Sequence, residues 1–153
     1  MSPEEPALTH GWTLARLARQ LEQSLAEADV SLPQYRVLMI LARGERRTPS
    51  RVAGELAVSP PSITAVVDGL VARGLVERHH DAVDRRQVVH AITDAGRDLL
   101  HVSDAAVQAR LGTVLDHLGE RDAQAARRGL DLWHEALVRA HRAACATPAG
   151  EQR

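Results

Sequence analysis

A single cysteine, one tyrosine, two tryptophans, no phenylalanine and no lysine mark this 153-residue chain. The lone Cys145 excludes an intrachain disulfide framework and a cysteine-rich zinc site. With so few aromatics, packing falls to Leu, Val and Ala, and the 44% apolar content is enough for a core. A lean aliphatic core of this kind suits helices that approach closely at alanine. Nowhere do about 18 apolar residues follow one another, so no transmembrane helix and no membrane partner are expected. The segment Met1-Ser2-Pro3-Glu4-Glu5-Pro6 is acidic and lacks the apolar stretch of a signal peptide, so the expected location is cytoplasmic. The length points to one domain, or one domain with helical extensions.

The catalytic inventory is equally thin. There is no glycine-rich phosphate loop, no nucleophile elbow and no His-Glu-x-x-His, so neither an enzyme nor a cofactor is expected. The eight histidines form no tight helical cluster. His79-His80 and His90 face each other only across a hairpin, where histidine more often serves as a cation near phosphate, so no metal site is expected.

Charge is more informative in its placement than in its sum. The net charge of −1 argues against a general nucleic-acid coat. Residues 1–32 carry two Arg and five acids, a net −3, whereas residues 33–96 carry nine Arg and seven acids, a net +2. Residues 97–153 balance at eight of each. Every cation is arginine, as a GC-rich coding sequence produces, and arginine makes bidentate phosphate and base contacts that lysine cannot.

Along the chain, Leu14, Leu17, Leu21, Leu25 and Ala28 form one stripe at helical spacing over residues 11–29. Ser31 is placed to cap a second helix with Pro33 in its first turn, running through Tyr35, Val37, Leu38 and Leu41 to Gly44. Glu45-Arg46-Arg47 reads as a polar loop. Thr48 caps a short helix to about Leu56, Ala57-Val58 is the turn, and Ser59 caps a second short helix that starts at Pro60-Pro61 and ends before Gly74. Leu75 to His80 and Gln87 to Ile92 read as strands joined by a polar loop, Asp81 to Arg86. Thr93 caps a long helix with Leu100, Val107, Leu111, Val114 and Leu118 on its stripe. Gly119 breaks it, and a last helix carries Ala126, Leu130, Trp133, Leu137 and Ala140. From Thr147 on the chain is Pro/Gly/polar and expected to be disordered.

Two short helices, a turn and an arginine-tipped hairpin in immediate succession are the order of a winged helix-turn-helix. One helix of that arrangement enters the major groove, and the wing reaches flanking DNA. The fold expected is mainly α with a small β-hairpin: a winged helix-turn-helix core at about 33–96, with dimerisation helices at about 10–30 and 97–145. Together these make a single domain over 1–146, followed by a disordered 147–153. The core needs only the middle of the chain, so the apolar stripes of the outer helices call for a partner. Pairing across a two-fold axis through Leu14, Leu17, Leu130, Trp133 and Leu137 is the economical solution.

The expected DNA contacts are Thr48, Ser50 and Arg51 on the first short helix, Ser59, Pro60, Pro61, Ser62, Thr64 and Arg73 on the second, and Asp84, Arg85 and Arg86 on the wing. Ser59 is as well suited to capping as to a base contact. Asp68 reads as a solvated or arginine-paired acid, and Ile63, Val66, Val67 and Leu70 as the buried face. An acid two residues before Arg86 is placed to brace that arginine for a narrow minor groove, with Arg85 at phosphate.

The wing motif Asp84-Arg85-Arg86, followed by Thr93-Asp94-Ala95-Gly96, resembles that of the multiple antibiotic resistance regulator (MarR) family. The segment from Ser62 to Arg78 and Leu32-Pro33-Gln34-Tyr35-Arg36-Val37-Leu38 are similar to the family pattern as well, so the resemblance spans nearly the whole chain. It implies a homodimer on a palindromic operator in double-stranded DNA, usually a repressor, released by a small ligand such as an aromatic acid or phenol. Family pockets lie between the dimer helices and the DNA-binding lobe, which makes His10, Trp12, Arg16, Tyr35 and Arg36 the effector candidates. Each has a plainer reading, Trp12 and Tyr35 as interface core and Arg16 as the partner of an acid. Peroxide sensing in the family uses a cysteine near the amino terminus, which Cys145 is not. The alternative is a constitutive or architectural DNA-binding protein without an effector. A protein-interaction module that has lost DNA binding is disfavoured by the intact Asp84 and Arg86.

Overall fold

The computed structural model describes residues 10–44, 46–81 and 84–146. Its elements run α1 (His10–Glu27), α2 (Leu32–Leu41), α3 (Pro49–Leu56), α4 (Pro60–Ala72), β1 (Val76–His80), β2 (Val88–Ile92), α5 (Asp94–Leu115) and α6 (Glu120–Ala146). The mainly helical chain with one small antiparallel sheet is the expected winged helix-turn-helix. The expected tail, 147–153, lies outside the described residues. The chain divides into two compact units between Leu111 and Gly112, a boundary inside α5 that its continuous apolar stripe does not signal.

Local chemistry starts α2 and α3. Ser31 and Gln34 close a capping box: the Gln34 N–H donates to Ser31 Oγ, and the Ser31 N–H to Gln34 Oε1 at 3.0 Å. Thr48 Oγ1 accepts from the Arg51 N–H and caps α3, with Pro49 in the first turn. Ser59 departs from expectation. It occupies the N-cap position of α4, but its hydroxyl lies 2.8 Å from Ser62 Oγ and caps no backbone donor. α2 stops at Leu41 rather than Gly44, because Ala42 to Gly44 unwind into a turn. Between α3 and α4, Ala57 adopts a left-handed conformation, and the Val58 N–H donates back to Ala53 O at 3.1 Å.

The core of the first unit gathers residues from α1 to α5 and both strands: Leu25 of α1, Val37, Leu38, Ile40 and Leu41 of α2, Val52 and Ala53 of α3, Ile63, Val67 and Leu70 of α4, then Val76, Ile92 and Leu100. Val66, expected in the buried face of α4, is only partly buried against it. The α1 stripe splits: Leu25 is buried and Leu21 partly so, whereas Leu14 is exposed.

β1 and β2 pair antiparallel, Val76 opposite Ile92 through His80 opposite Val88. Leu75, expected in the strand, instead lies in the turn that follows α4, its N–H donating back to Leu70 O at 3.0 Å. A two-stranded hairpin is marginal by itself. This one gains a third edge where the supposed polar loop runs alongside it. Arg47 N–H donates to His90 O at 3.1 Å, and His90 N–H to Arg47 O at 2.8 Å.

The hairpin returns into α5 through Thr93. Its N–H donates to Leu75 O at 3.1 Å, its hydroxyl donates to Gly74 O at 2.8 Å, and the Gly96 N–H donates to that same hydroxyl at 3.1 Å. Gly96 packs so closely that a Cβ there would lie 2.2 Å from Leu75 O. Thr93 and Gly96 are therefore joinery between the end of α4, the hairpin and α5.

In the second unit, Ala123 alone of the described α6 side chains is buried. Leu130, Leu132, Trp133 and Leu137 are exposed, the last three at 64–65%. An apolar surface of that density on one helix is rarely left to water.

Gly96→Ala is expected to lower unfolding free energy by about 2–3 kcal/mol, since a backbone carbonyl cannot be displaced as a flexible side chain can. Urea denaturation measures it, and an unchanged midpoint would show that the junction is loose.

Candidate nucleic-acid interface

α4 packs against α3, α2 and β1 through Ile63, Val67 and Leu70, and this orientation turns Ser62, Thr64, Ala65 and Asp68 outward. Pro60 and Pro61 occupy first-turn positions where a backbone donor has no intrahelical partner, so nothing is lost. Ser59 and Ser62 share a hydroxyl–hydroxyl hydrogen bond at the exposed start of the helix. Thr64 Oγ1 donates to Pro60 O at 3.2 Å. The helix start thus presents small hydroxyls and a positive dipole end, a combination that receives phosphate. On α3, Ser50 and Arg51 are exposed, whereas the Thr48 hydroxyl is engaged in capping.

The wing tip is organised by Asp84, but not as a brace for the arginine side chain. Its carboxylate accepts from the Arg86 backbone N–H at 3.0 Å and from Gln87 Nε2 at 3.3 Å, and its own N–H donates to Asp81 Oδ1 at 3.0 Å. A carboxylate two residues before a backbone donor closes an Asx turn more readily than it reaches a guanidinium. The acid therefore shapes the loop, and His80 Nδ1 holds it from the strand side, 3.1 Å from Arg85 O. Arg85 and Arg86 are exposed, and among the described residues neither side chain has an ion-pair partner. Ala82 and Val83, between β1 and this tip, lie outside the described residues.

Other arginines do structural work. Arg73, expected at DNA, sits at the far end of α4. Its Nη2 donates to Asp29 O at 2.9 Å and to Asp29 Oδ2 at 3.1 Å, and Nη1 reaches Gln34 Oε1. Arg78 of β1 pairs with Asp68 of α4, so Asp68 is the arginine-paired acid expected. Arg47 was hidden in sequence by its charged neighbours. It is only 8% exposed and pairs with Glu55 of α3, which Arg43 also approaches at 3.7 Å. Its cross-strand neighbour His90 is 3% exposed, and burial, reinforced by the Arg78 cation, pushes the imidazole below its ordinary pKa. His90 Nδ1 has no hydrogen-bond partner among the described residues.

The effector candidates separate into two groups. His10, Trp12 and Arg16 are exposed on α1. Tyr35 is partly buried on α2, and its hydroxyl donates to the Asp104 carboxylate of α5. Burial first, and then that hydrogen bond and the charge of Asp104, push the phenol above its usual range. Arg36 Nη2 donates to Leu56 O at 3.2 Å, tying α2 to α3. Among the described residues the two groups share no hydrogen bond or ion pair, and no three His, Cys, Asp or Glu converge to hold a metal ion.

Residues 28–87 match the model of the MarR family. Over 117 residues the chain is 35% identical to ML2140 of Mycobacterium leprae, an HTH-type transcriptional regulator, covering 76% of this chain and 82% of that protein. Among solved structures, YusO from Bacillus subtilis superposes with a TM-score of 0.70 at 25% identity, over 83% of this chain and 91% of that one. CouR from Rhodococcus jostii RHA1, solved bound to p-coumaroyl-CoA, does so with a TM-score of 0.61 at 27% identity, over 78% of this chain and 87% of that one.

Arg86→Ala should weaken DNA binding by about 1–3 kcal/mol while melting temperature stays as in the unsubstituted protein. Loss of folding in that variant, seen by circular dichroism, would make Arg86 a structural residue instead.

Proposed function

The chain belongs to the MarR family of DNA-binding transcription regulators, which are not enzymes, and on that premise we propose that it works as a homodimeric repressor of a palindromic operator, released by a small aromatic or phenolic ligand. The observation that carries the DNA-contact assignment is the pairing, within one unit, of the hydroxyl-bearing start of α4 with two exposed arginines at the wing tip. Ser59, Ser62 and Thr64 meet the major groove, Ser50 and Arg51 the phosphates beside it, and Arg85 and Arg86 the flanking backbone and minor groove. Thr48, Pro60, Pro61 and Asp84 shape these surfaces, while Arg73 belongs to the frame.

The dimer is supported by what each unit leaves uncovered. Leu130, Trp133 and Leu137 on α6 are exposed, as are Trp12 and Leu14 on α1. A second copy is the partner that buries such faces and sets two recognition helices one DNA turn apart. The ligand reading draws on CouR, whose bound p-coumaroyl-CoA is a phenolic acyl thioester. In this chain the exposed Trp12 and Arg16 offer a stacking wall and a carboxylate partner. No described helix is long and apolar enough to cross a membrane. A repressor acts where the chromosome is, so we infer a cytoplasmic location from the proposed role.

A mobility-shift titration against the DNA upstream of its own gene, with a panel of phenols, aromatic acids and their CoA thioesters, tests the reading. Selective binding relieved by one compound supports it. Selective binding relieved by none favours a constitutive regulator, and unselective binding with a steep salt slope favours an architectural protein. Leu137→Asp should yield a monomer by sedimentation and, with one half-site lost, a large drop in operator affinity. A monomer with full affinity would contradict the dimer.

A further inference from the structure

His90 lies in the middle of β2, where the wing is joined to the rest of the reading head. On one side its backbone forms the two-bond bridge to Arg47, whose guanidinium is paired with Glu55 of α3. On the other it is the register partner of Arg78, whose guanidinium is paired with Asp68 of the recognition helix. The charges that act on the imidazole are the Arg78 cation of β1, which disfavours a proton there, and the Asp68 carboxylate of α4, which with a backbone hydrogen bond to Arg47 favours one. Asp68 is already paired with Arg78. A second cation beside Arg78 has no acid of its own, and in a site this closed to water its charge is poorly screened.

We propose that His90 is an acid-sensitive positioning residue of the wing: neutral, it lets the wing stay bridged to Arg47 and aligned with α4, and protonated, it loosens that bridge and lowers affinity for DNA. Burial of the imidazole favours the neutral form, so a proton enters at the expense of the bridged state. The unpartnered Nδ1 gives the proton a place to go once the site opens to water. The sign is diagnostic. Acidification makes any protein more positive, which adds attraction to phosphate. Ordinary electrostatics thus strengthens DNA binding at low pH, and the wing device weakens it.

The inference rests on the wing belonging to the DNA-binding surface, and the experiment separates the two. Anisotropy of a labelled duplex from upstream of the chain's own gene is titrated between about pH 7.5 and about pH 5.5, with the unsubstituted protein and with His90→Gln. The unsubstituted protein is expected to lose affinity several-fold toward the acid end, and His90→Gln to hold or gain affinity. A gain in the unsubstituted protein, or the same loss in His90→Gln, overturns the proposal. Hydrogen exchange of the unsubstituted protein decides the matter if His90→Gln does not fold. Protection of the Arg47 and His90 amides, corrected for intrinsic rates, should fall toward the acid end, and unchanged protection overturns the proposal. No binding to the duplex at about pH 7.5 counts against the DNA reading, and the exchange measurement still decides this one.

Discussion

Three hydrogen bonds at Thr93 tie the wing to the helices on either side of it. The backbone N–H reaches Leu75 O, the hydroxyl reaches Gly74 O, and that hydroxyl receives the Gly96 N–H. The end of α4, the start of β1, the end of β2 and the first turn of α5 meet there, and Gly96 allows the backbones to touch. If this junction slips, the wing has no defined direction relative to the recognition helix. The Arg47–His90 bridge and the Arg78–Asp68 pair then act on a hairpin already held at its base.

The arginines divide by what they touch, and that division resolves the near-neutral charge of a DNA-binding protein. Arg36, Arg47, Arg73 and Arg78 are engaged with carbonyls or carboxylates of their own chain. Arg85 and Arg86 project from a turn whose shape is set by Asp84. Exposed charge in the reading head is left to Arg46, Arg51 and the wing-tip pair. Binding of this kind depends on geometry more than on total charge, so the frame that orients the tip matters as much as the tip.

Much of this was legible in the sequence because it was local. Proline after serine or threonine announced the starts of α2 and α3, helical spacing announced the buried face of α4 apart from Val66, and apolar segments on either side of a polar loop announced the strands. What escaped was non-local. Arg47 looked like a loop cation among charged neighbours, because nothing in Glu45-Arg46-Arg47 reveals that β2 and Glu55 lie beside it. Arg73 looked free because Asp29 is 44 residues earlier. Asp84 was close enough to brace Arg86, yet the backbone donor of that same residue was closer. The Thr93–Gly96 spacing was legible as a motif, but its meaning came only with the carbonyl of Leu75 in place.

That one rigid frame presents both helix and wing to DNA is most directly tested by hydroxyl-radical footprinting on the upstream duplex. Two protected stretches about one helical turn apart are expected, each flanked on its outer side by a minor-groove protection from a wing. Protection at the centres with no flanking signal, or one unbroken stretch without half-sites, would contradict it.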